Sequence, residues 1–573
     1  MRQVKLRRAT DSATQNKTDV QSVMESIWLS RGLEDVPDYS LSQLLPPTLL
    51  GLDLAIERLI KALQEHERIL VVGDFDADGA TATVLVVSAL QAMGARRVDW
   101  KIPDRFRHGY GLSERLVNEL DEPFPDLLLT VDQGISSVAG VALAKSRGMD
   151  VIVTDHHLPG STLPNADAII NPNLAEDPFP SKHLAGVGVV FYLMVALRQH
   201  LRAKGYFNDI EEPRLDQWLD LVALGTVADL VRLDDNNRRL VAQGIKRIRA
   251  GHTRPGVRAL LEVAKRNLRY TSAADLGYAV GPRLNAAGRL DDMGLGVRCL
   301  LATTETEAFE LAGALDVINS KRRAMQAKMQ SEAMSQAEQL TATLEKGLAG
   351  ACLFDANWHE GLVGLVAGQV AERIQRPVVA FAPEAEGGEY LKGSARSPGS
   401  IHMRDLLVEL DTHHPGMIER FGGHSGAAGL TISSHQLDSF KAAFMQRVEK
   451  IPASEAVVHS DGSLSAEALS VTLAQLISDS GPWGQGFPEP LFDGQFSVVD
   501  RRVVGEEHLK LRLQPVGGSE VVDAIAFRSA RLFRETLPEP WHVTYRLEVN
   551  RWRGQTAVQL NLQHWVLEAL DSA

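Results

Sequence analysis

VVGDFDADG, residues 71–79, closes an apolar run, Ile69–Val72, and precedes a helix-like segment, TATVLVVSALQAMG. A short β-branched run bounded by glycine reads as a buried strand. Asp74, Asp76 and Asp78 then alternate along the chain. Alternate residues of an extended segment point the same way, so these carboxylates can converge at the C-terminal end of a strand. Open α/β sheets bind ligands at that end. Clustered carboxylates repel and raise one another's pKa, and a Mg²⁺ or Mn²⁺ ion removes that cost. The same stretch also reads as a polar turn with a helix cap, and by itself it does not choose between the two.

Working outward, strand and helix patterns alternate from residue 69 to about 230. Ile69–Val72, Arg97–Ile102, Leu127–Val131, Val151–Thr154 and Ala168–Ile170 are the expected strands. This is the pattern of βαβ units on a parallel sheet. Near-continuous apolar strands such as LLLTV suit a sheet covered on both faces. Asp132 follows one strand, Asp155, His156 and His157 follow another, and Asp229 ends the helical segment WLDLVALGTVADLV. A lone Asp after a strand is commonly a cap. Imidazole and carboxylates gathered at one sheet edge form a plausible Mn²⁺ or Mg²⁺ set.

Composition bounds the rest. A chain of 573 residues is too long for one core. The net charge of −13 requires any nucleic-acid site to be a local basic groove. Cys299 and Cys352 are the only cysteines, which excludes a disulfide framework and fits a reducing compartment. The basic MRQVKLRR leads into polar TDSATQNKTD, not an apolar core, so no secretory signal is expected. No apolar run approaches the roughly 20 residues of a membrane span. A cytoplasmic protein is the expectation.

The triplet Asp155-His156-His157, with Asp76-x-Asp78, Asp132 and Gly225–Asp229, resembles the DHH phosphoesterase superfamily, and within it the single-strand-specific 5′→3′ exonucleases. HGYGLS (His108–Ser113), VDQGISS (Val131–Ser137), GPRLNAAGR (Gly281–Arg289) and FGGHSGAAG (Phe421–Gly429) extend the resemblance over about residues 70–430. It implies metal ligands at Asp76, Asp78, Asp132, His156 and Asp229, holding one or two Mg²⁺ or Mn²⁺ ions. It implies that His157 faces the scissile phosphate and that Asp155 orients the imidazoles. Many relatives carry a histidine where this chain has Val72, leaving one metal site a ligand short, with Asp74 as candidate support.

The expected organisation is an N-terminal arm and cap (1–50), a parallel-sheet DHH domain (51–303), a connecting helix (304–346), a second α/β lobe of DHHA1 type (347–452) and an OB-like β-barrel (453–573). Arg232–Arg269 holds 11 Lys/Arg against 3 Asp/Glu. It reads either as a solvated helix surface or as a wall of a single-strand channel, and the channel is the reading adopted. In GPRLNAAGR, Arg283 and Arg289 flank NAAG, read as a small-residue loop against the substrate. Glu305–Lys346 lacks proline and reads as one or two long helices. Ser394 and Arg396 of KGSARS, His424 of the Gly-Gly-His loop and Arg105 resemble a pocket for a 5′-phosphate.

After about residue 455, five alternating segments suit an OB-like barrel. Trp541, Tyr545, Arg546, Arg551 and Trp552 are candidates for a base-stacking platform, with Arg546 and Trp552 favoured, although alternation requires half of the aromatics to be core. The function expected is metal-dependent removal of 5′-mononucleotides from single-stranded DNA. The resemblance also implies recombination and repair as the setting, with a single-strand-binding protein and a helicase as partners. A monomer suits a two-lobed cleft. A phosphoesterase acting on short oligonucleotides or cyclic dinucleotides is the alternative, and the basic segment and barrel are superfluous for it. A catalytically inert fork scaffold is disfavoured by the intact acidic and histidine set.

Overall fold

The computed structural model describes residues 2–8, 19–342, 349–384, 389–399, 401–423, 425–451, 457–533 and 539–570. The chain opens with β1 (Arg2–Arg8) and α1 (Val20–Ser30). It then builds a parallel sheet from β2 (Arg68–Val72), β3 (Arg97–Lys101), β4 (Leu127–Val131), β5 (Asp150–Thr154) and β6 (Ala168–Ile170), in the order β3-β2-β4-β5-β6. Each strand lies within one residue of its expectation. β4 is buried at every position, as a sheet covered on both faces requires. The strand order reverses around β2, so a crevice opens at the C-terminal ends of β2 and β4.

VVGDFDADG crosses that crevice and enters α2 (Ala77–Ala92), a helix buried nearly all round. It packs against α3 (Gly186–Ala203) and α4 (Leu219–Ala228). Burying side chains such as Leu85 and Leu90 contributes about 1.5–3 kcal/mol each, which anchors the acidic loop to the core. Next come α5 (Asp235–Arg249) and α6 (Gly281–Leu290).

α6 replaces the loop expected around NAAG. Its small residues serve close packing inside a helix, and Pro282 in the first turn is compatible with helix initiation. α7 (Glu305–Ala342) is one uninterrupted helix of 38 residues, about 57 Å long, leading to the second lobe. That lobe holds β7 (Ala351–Phe354), α8 (Val363–Ile374), β8 (Val378–Pro383), β9 (Tyr390–Arg396), β10 (Arg420–Gly423) and β11 (Ala427–Ser433), in sheet order β10-β11-β9-β8-β7.

The C-terminal sheet contains β12 (Val457–Ser460), β13 (Phe492–Val504), β14 (His508–Pro515), β15 (Val522–Ala526), β16 (Trp541–Trp552) and β17 (Gln555–Leu570). β13, β14, β15, β17 and β16 close on one another as a five-stranded barrel. The expected N-terminal arm belongs to this unit, because β1 lies between β12 and β17 and runs parallel to both. The register explains why a polar segment can be ordered here, since its backbone groups are paired on both sides.

Asp493 locks that arrangement. Its carboxylate has no exposed surface and accepts hydrogen bonds from Arg8 Nη2 at 2.7 Å and Ser460 Oγ at 2.7 Å, with His542 Nε2 at 3.1 Å. The barrel shares one continuous apolar core with the catalytic lobe. Trp28, Trp483 and Phe487 stack at the junction, and Arg238 of α5 lies 4.2 Å over the Phe487 ring. Leu233 N–H donates to Gln485 O at 2.7 Å.

This docking changes the reading of Arg232–Arg269. Arg238, Arg239, Arg247, Arg249, Arg254, Arg258 and Arg266 are all ion-paired, to Asp235, Asp216, Asp479, Asp220, Glu305 and Asp275. Most of the segment therefore braces neighbouring elements. Arg232, Lys246, Lys265 and Arg269 remain exposed.

Although burial opposes ionisation of Asp493, its bonds to His542, Arg8 and Ser460 hold the pKa down to about 2. The carboxylate's stabilising contribution is therefore complete above about pH 4 and is lost as pH falls toward 2. It amounts to about 2 kcal/mol. Asp493→Asn is expected to lower barrel stability at pH 7, with the difference from wild type shrinking between pH 4 and 2, as read by urea unfolding.

Candidate metal centre and phosphate cleft

Asp76 is the N-cap of α2, and its Oδ1 accepts from Asp78 N–H at 2.9 Å and Gly79 N–H at 3.0 Å. The cap and ligand readings are thus compatible, since capping by one oxygen leaves the other carboxylate oxygen to face the crevice. Asp78 sits against the N-terminus of α3, accepting from Gly186 N–H at 2.6 Å and Val187 N–H at 3.0 Å. That helix end carries partial positive charge and suits an anion.

Asp132 follows β4 with φ of +62°, a left-handed conformation that a non-glycine residue adopts at a cost of order 1–3 kcal/mol. The strain turns the carboxylate inward beside Gly186, where a Cβ would lie 2.5 Å from Asp132 Oδ1. Gly186 is therefore part of the site, a requirement invisible before the helix and strand are packed together.

His156 Nε2 lies 3.1 Å from Asp132 Oδ1 and 3.5 Å from Asp229 Oδ2. Both Nε2 and Asp132 Oδ1 are buried without a hydrogen-bond partner, as is Asp74 Oδ1. Burial pushes the His156 pKa down to about 4, so the ring is neutral. The ring also hydrogen-bonds the Leu184 backbone. Because Nε2 is unpartnered, that bond falls to Nδ1–H and leaves the Nε2 lone pair facing the acids.

Facing lone pairs from one imidazole and several carboxylates repel, and a cation between them relieves that cost. Asp132, His156 and His157, then Asp78, His156 and Asp229, then Asp74, Asp76 and Asp132, each bring ligand atoms within 4.8 Å of one another. Burial, with the charge of Asp76, raises the pKa of Asp74 to about 8 and of Asp78 to about 7. Asp132 and Asp229 are raised well above the carboxylate range by burial, with the charge of Asp78 next. The donor set fits a hard divalent ion.

Asp155 is fully buried and bonds the His156 backbone and the His157 ring. Its Oδ1 accepts from His156 N–H at 2.7 Å, His157 N–H at 3.0 Å and His157 Nδ1 at 2.7 Å, while Oδ2 accepts from Ile135 N–H at 2.9 Å. Burial favours neutral Asp155, but the His157 bond and charge outweigh it and lower the pKa. Conversely, burial favours neutral His157, yet Asp155 lifts it to about 9. Tyr110, of the HGYGLS motif, adds a hydroxyl 3.0 Å from His157 Nδ1 and was not expected as a site residue. Val72 packs in an apolar cluster with Leu112, Leu128 and Val153, and its carbonyl accepts from Gln133 Nε2 at 3.1 Å.

Arginines converge beside the acids. Arg105 lies 4.0 Å over the Phe75 ring, and its Nε donates to Gly288 O at 3.1 Å. Arg289 reaches the second lobe, donating to Gly361 O at 2.9 Å. Burial, with the charges of Arg105, Arg322 and Arg396 around it, lowers the Arg289 pKa to about 10. Arg396 donates to Ser394 Oγ at 2.8 Å, and Gly364 of α8 leaves room for both. Arg322, on α7, was not expected in this cluster.

Arg283 lies apart from the cleft group. It pairs with Asp316 of α7 at 2.8 Å and donates to Ala279 O at 2.6 Å, because one helical face of α6 turns it toward the connector. His424 lies outside the described residues. In the barrel, Trp541 and Tyr545 are core, whereas Trp552 is 68% exposed. Arg546 is 3.5 Å from Glu489, and Arg551 lies 4.1 Å over Tyr270.

The fold and this donor geometry place the chain in a known class. Residues 68–226 match the DHH family N-terminal domain, 341–450 the DHHA1 domain and 460–564 the RecJ OB domain. The single-stranded-DNA-specific exonuclease RecJ of Dickeya dadantii is 48% identical over 98% of this chain and 99% of its own length. The Escherichia coli K12 protein of the same name is 47% identical over 97% of each chain. The crystal structure of RecJ in complex with Mn²⁺ from Thermus thermophilus superposes with a TM-score of 0.77 at 29% identity, covering 98% of this chain and 78% of that one. Its Mg²⁺ counterpart gives 0.75 at 28% identity, covering 100% and 80%. The chain belongs to the RecJ family.

Asp132→Asn removes one of the mutually repelling buried carboxylates. Without metal it is expected to raise the unfolding temperature of the catalytic lobe, while wild type gains more than the variant on adding Mn²⁺. Differential scanning calorimetry with and without Mn²⁺ measures both.

Proposed function

We infer that this chain is a Mg²⁺- or Mn²⁺-dependent exonuclease specific for single-stranded DNA, removing mononucleotides from the 5′ end. The observation that carries the reading is the meeting, in one crevice, of unpartnered acid and imidazole atoms with a group of half-buried arginines. Asp76, Asp78, Asp132, His156 and Asp229 hold the metal, with Asp74 beside them. Bound there, a divalent ion neutralises phosphate charge and lowers the pKa of a bound water. His157, kept protonated by Asp155 and braced by Tyr110, donates to the scissile phosphate and stabilises its developing charge. Arg105, Arg289, Ser394 and Arg396 take the terminal phosphate and so set the 5′ polarity. The cleft between the lobes admits one strand, and exposed Trp552 on the barrel stacks a base.

Repair and recombination are the setting this chemistry fits, in the cytoplasm. A single-strand-binding protein and a helicase would supply the strand to a monomeric enzyme. Among the described residues no helix is long and apolar enough to cross a membrane.

Titration of Mn²⁺ and Mg²⁺ into the purified chain with 5′-phosphorylated single strands tests the reading. Metal-dependent release of mononucleotides from the 5′ end is the expected result, with Asp132→Ala inactive but folded. Activity confined to dinucleotides, with long strands untouched, would overturn it in favour of a small-substrate phosphoesterase. Arg396→Ala is expected to lower kcat/KM on 5′-phosphorylated strands by about 10–100-fold, the loss of a charge-assisted phosphate contact. The same change on 5′-hydroxyl strands should be much smaller.

A further inference from the structure

We propose that Asn285 is the positioning residue of the candidate metal loop, its side-chain carbonyl pinning the Asp76–Ala77 peptide so that the Asp76 carboxylate stays aimed at the cation. The inference rests on the metal-centre reading above. Local hydrogen bonds order the first turn of α2. Asp76 Oδ1 caps the N–H groups of Asp78 and Gly79, and Asp76 O accepts from Ala80 N–H at 2.9 Å. The Ala77 N–H lies outside that local set. It donates at 2.8 Å to Asn285 Oδ1, which is 208 residues away in sequence.

The peptide between Asp76 and Ala77 is therefore held on both sides, its carbonyl by the helix and its N–H by Asn285. Both bonds fix the backbone torsion that directs the Asp76 side chain. A second contact comes from the same face of α6. Gly288, three residues on, abuts Phe75, and a Cβ there would lie 1.8 Å from Phe75 O. Residues three apart on a helix are neighbours, so α6 grips the loop at two points on either side of Asp76.

The grip opposes a definite force. Asp74, Asp76 and Asp78 lie within five residues, and two of them are buried. Before a cation arrives their repulsion drives the loop outward, and Asn285 is a neutral acceptor that holds it without adding charge. α6 is itself fixed, since Gly288 O accepts from Arg105 Nε and Arg289 donates to Gly361 O. The same helix thus ties the metal loop to the arginines and to the second lobe.

Mn²⁺ binding to the full chain, read from the electron paramagnetic resonance signal of free Mn²⁺, tests the proposal. Asn285→Ala is expected to raise the Kd for Mn²⁺ about tenfold, at the low end of losses seen when a partner of a metal ligand is removed. Asn285→Asp keeps the acceptor oxygen and is expected to bind Mn²⁺ at least as tightly as wild type. Saturating Mn²⁺ should return Asn285→Ala to within about twofold of wild-type kcat, which a misfolded variant would not do. If Asn285→Ala does not fold, Asn285→Ser, whose hydroxyl is too short to reach Ala77, carries the same expectation. Unchanged Mn²⁺ affinity in a folded Ala or Ser variant overturns the proposal. Absence of Mn²⁺ binding by wild type overturns the metal-centre reading instead.

Discussion

Repulsion among buried carboxylates is the constraint around which this molecule is arranged. Asp74, Asp78 and Asp132 are almost fully buried, with Asp76 and Asp229 beside them. Desolvation and like charge both disfavour ionisation in such a place. The fold meets part of that cost with backbone N–H groups, two from α2 on Asp76 and two from α3 on Asp78. It leaves Asp132 Oδ1, Asp74 Oδ1 and His156 Nε2 without partners. The residual deficit has the sign of a missing cation, so the centre is locally unstable in the direction that makes it a good metal site.

The histidine pair shows how one environment divides two identical side chains. His156 faces acids through an unpartnered lone pair and is held neutral, whereas His157 is bonded to Asp155 and held protonated. A neutral imidazole suits a metal, and a protonated one suits a phosphate. Burial and the neighbouring charge of His157 hold His156 down, whereas Asp155, bonded to the His157 ring but only to the His156 backbone, lifts His157.

Away from the centre, charge has a mostly mechanical role. The basic stretch that looked like a strand-binding wall is largely neutralised by acids, several of them distant in sequence, and braces the junction with the barrel. The barrel is tied to the catalytic lobe by a shared core and by the aromatic stack around Trp28, and β1 closes the circuit from the other end of the chain. Such a junction holds the barrel against the catalytic lobe.

The sequence by itself determined the parallel sheet, the long connector, the second lobe and the five barrel strands, because apolar periodicity is a local property. It also marked Asp76, Asp78, Asp132, His156, His157 and Asp229, since each follows a strand or helix end within a recognisable motif. Three things required the tertiary structure. NAAG is a helix packed on Phe75, a choice that small residues leave open until a neighbour needs the space. Arg283 and Arg289 are six residues apart on α6, yet helical rotation sends one to Asp316 and the other to Gly361. Cap and ligand seemed rival readings of Asp76, and only three dimensions allow one carboxylate to present an oxygen to each, because its two lone-pair faces point in different directions.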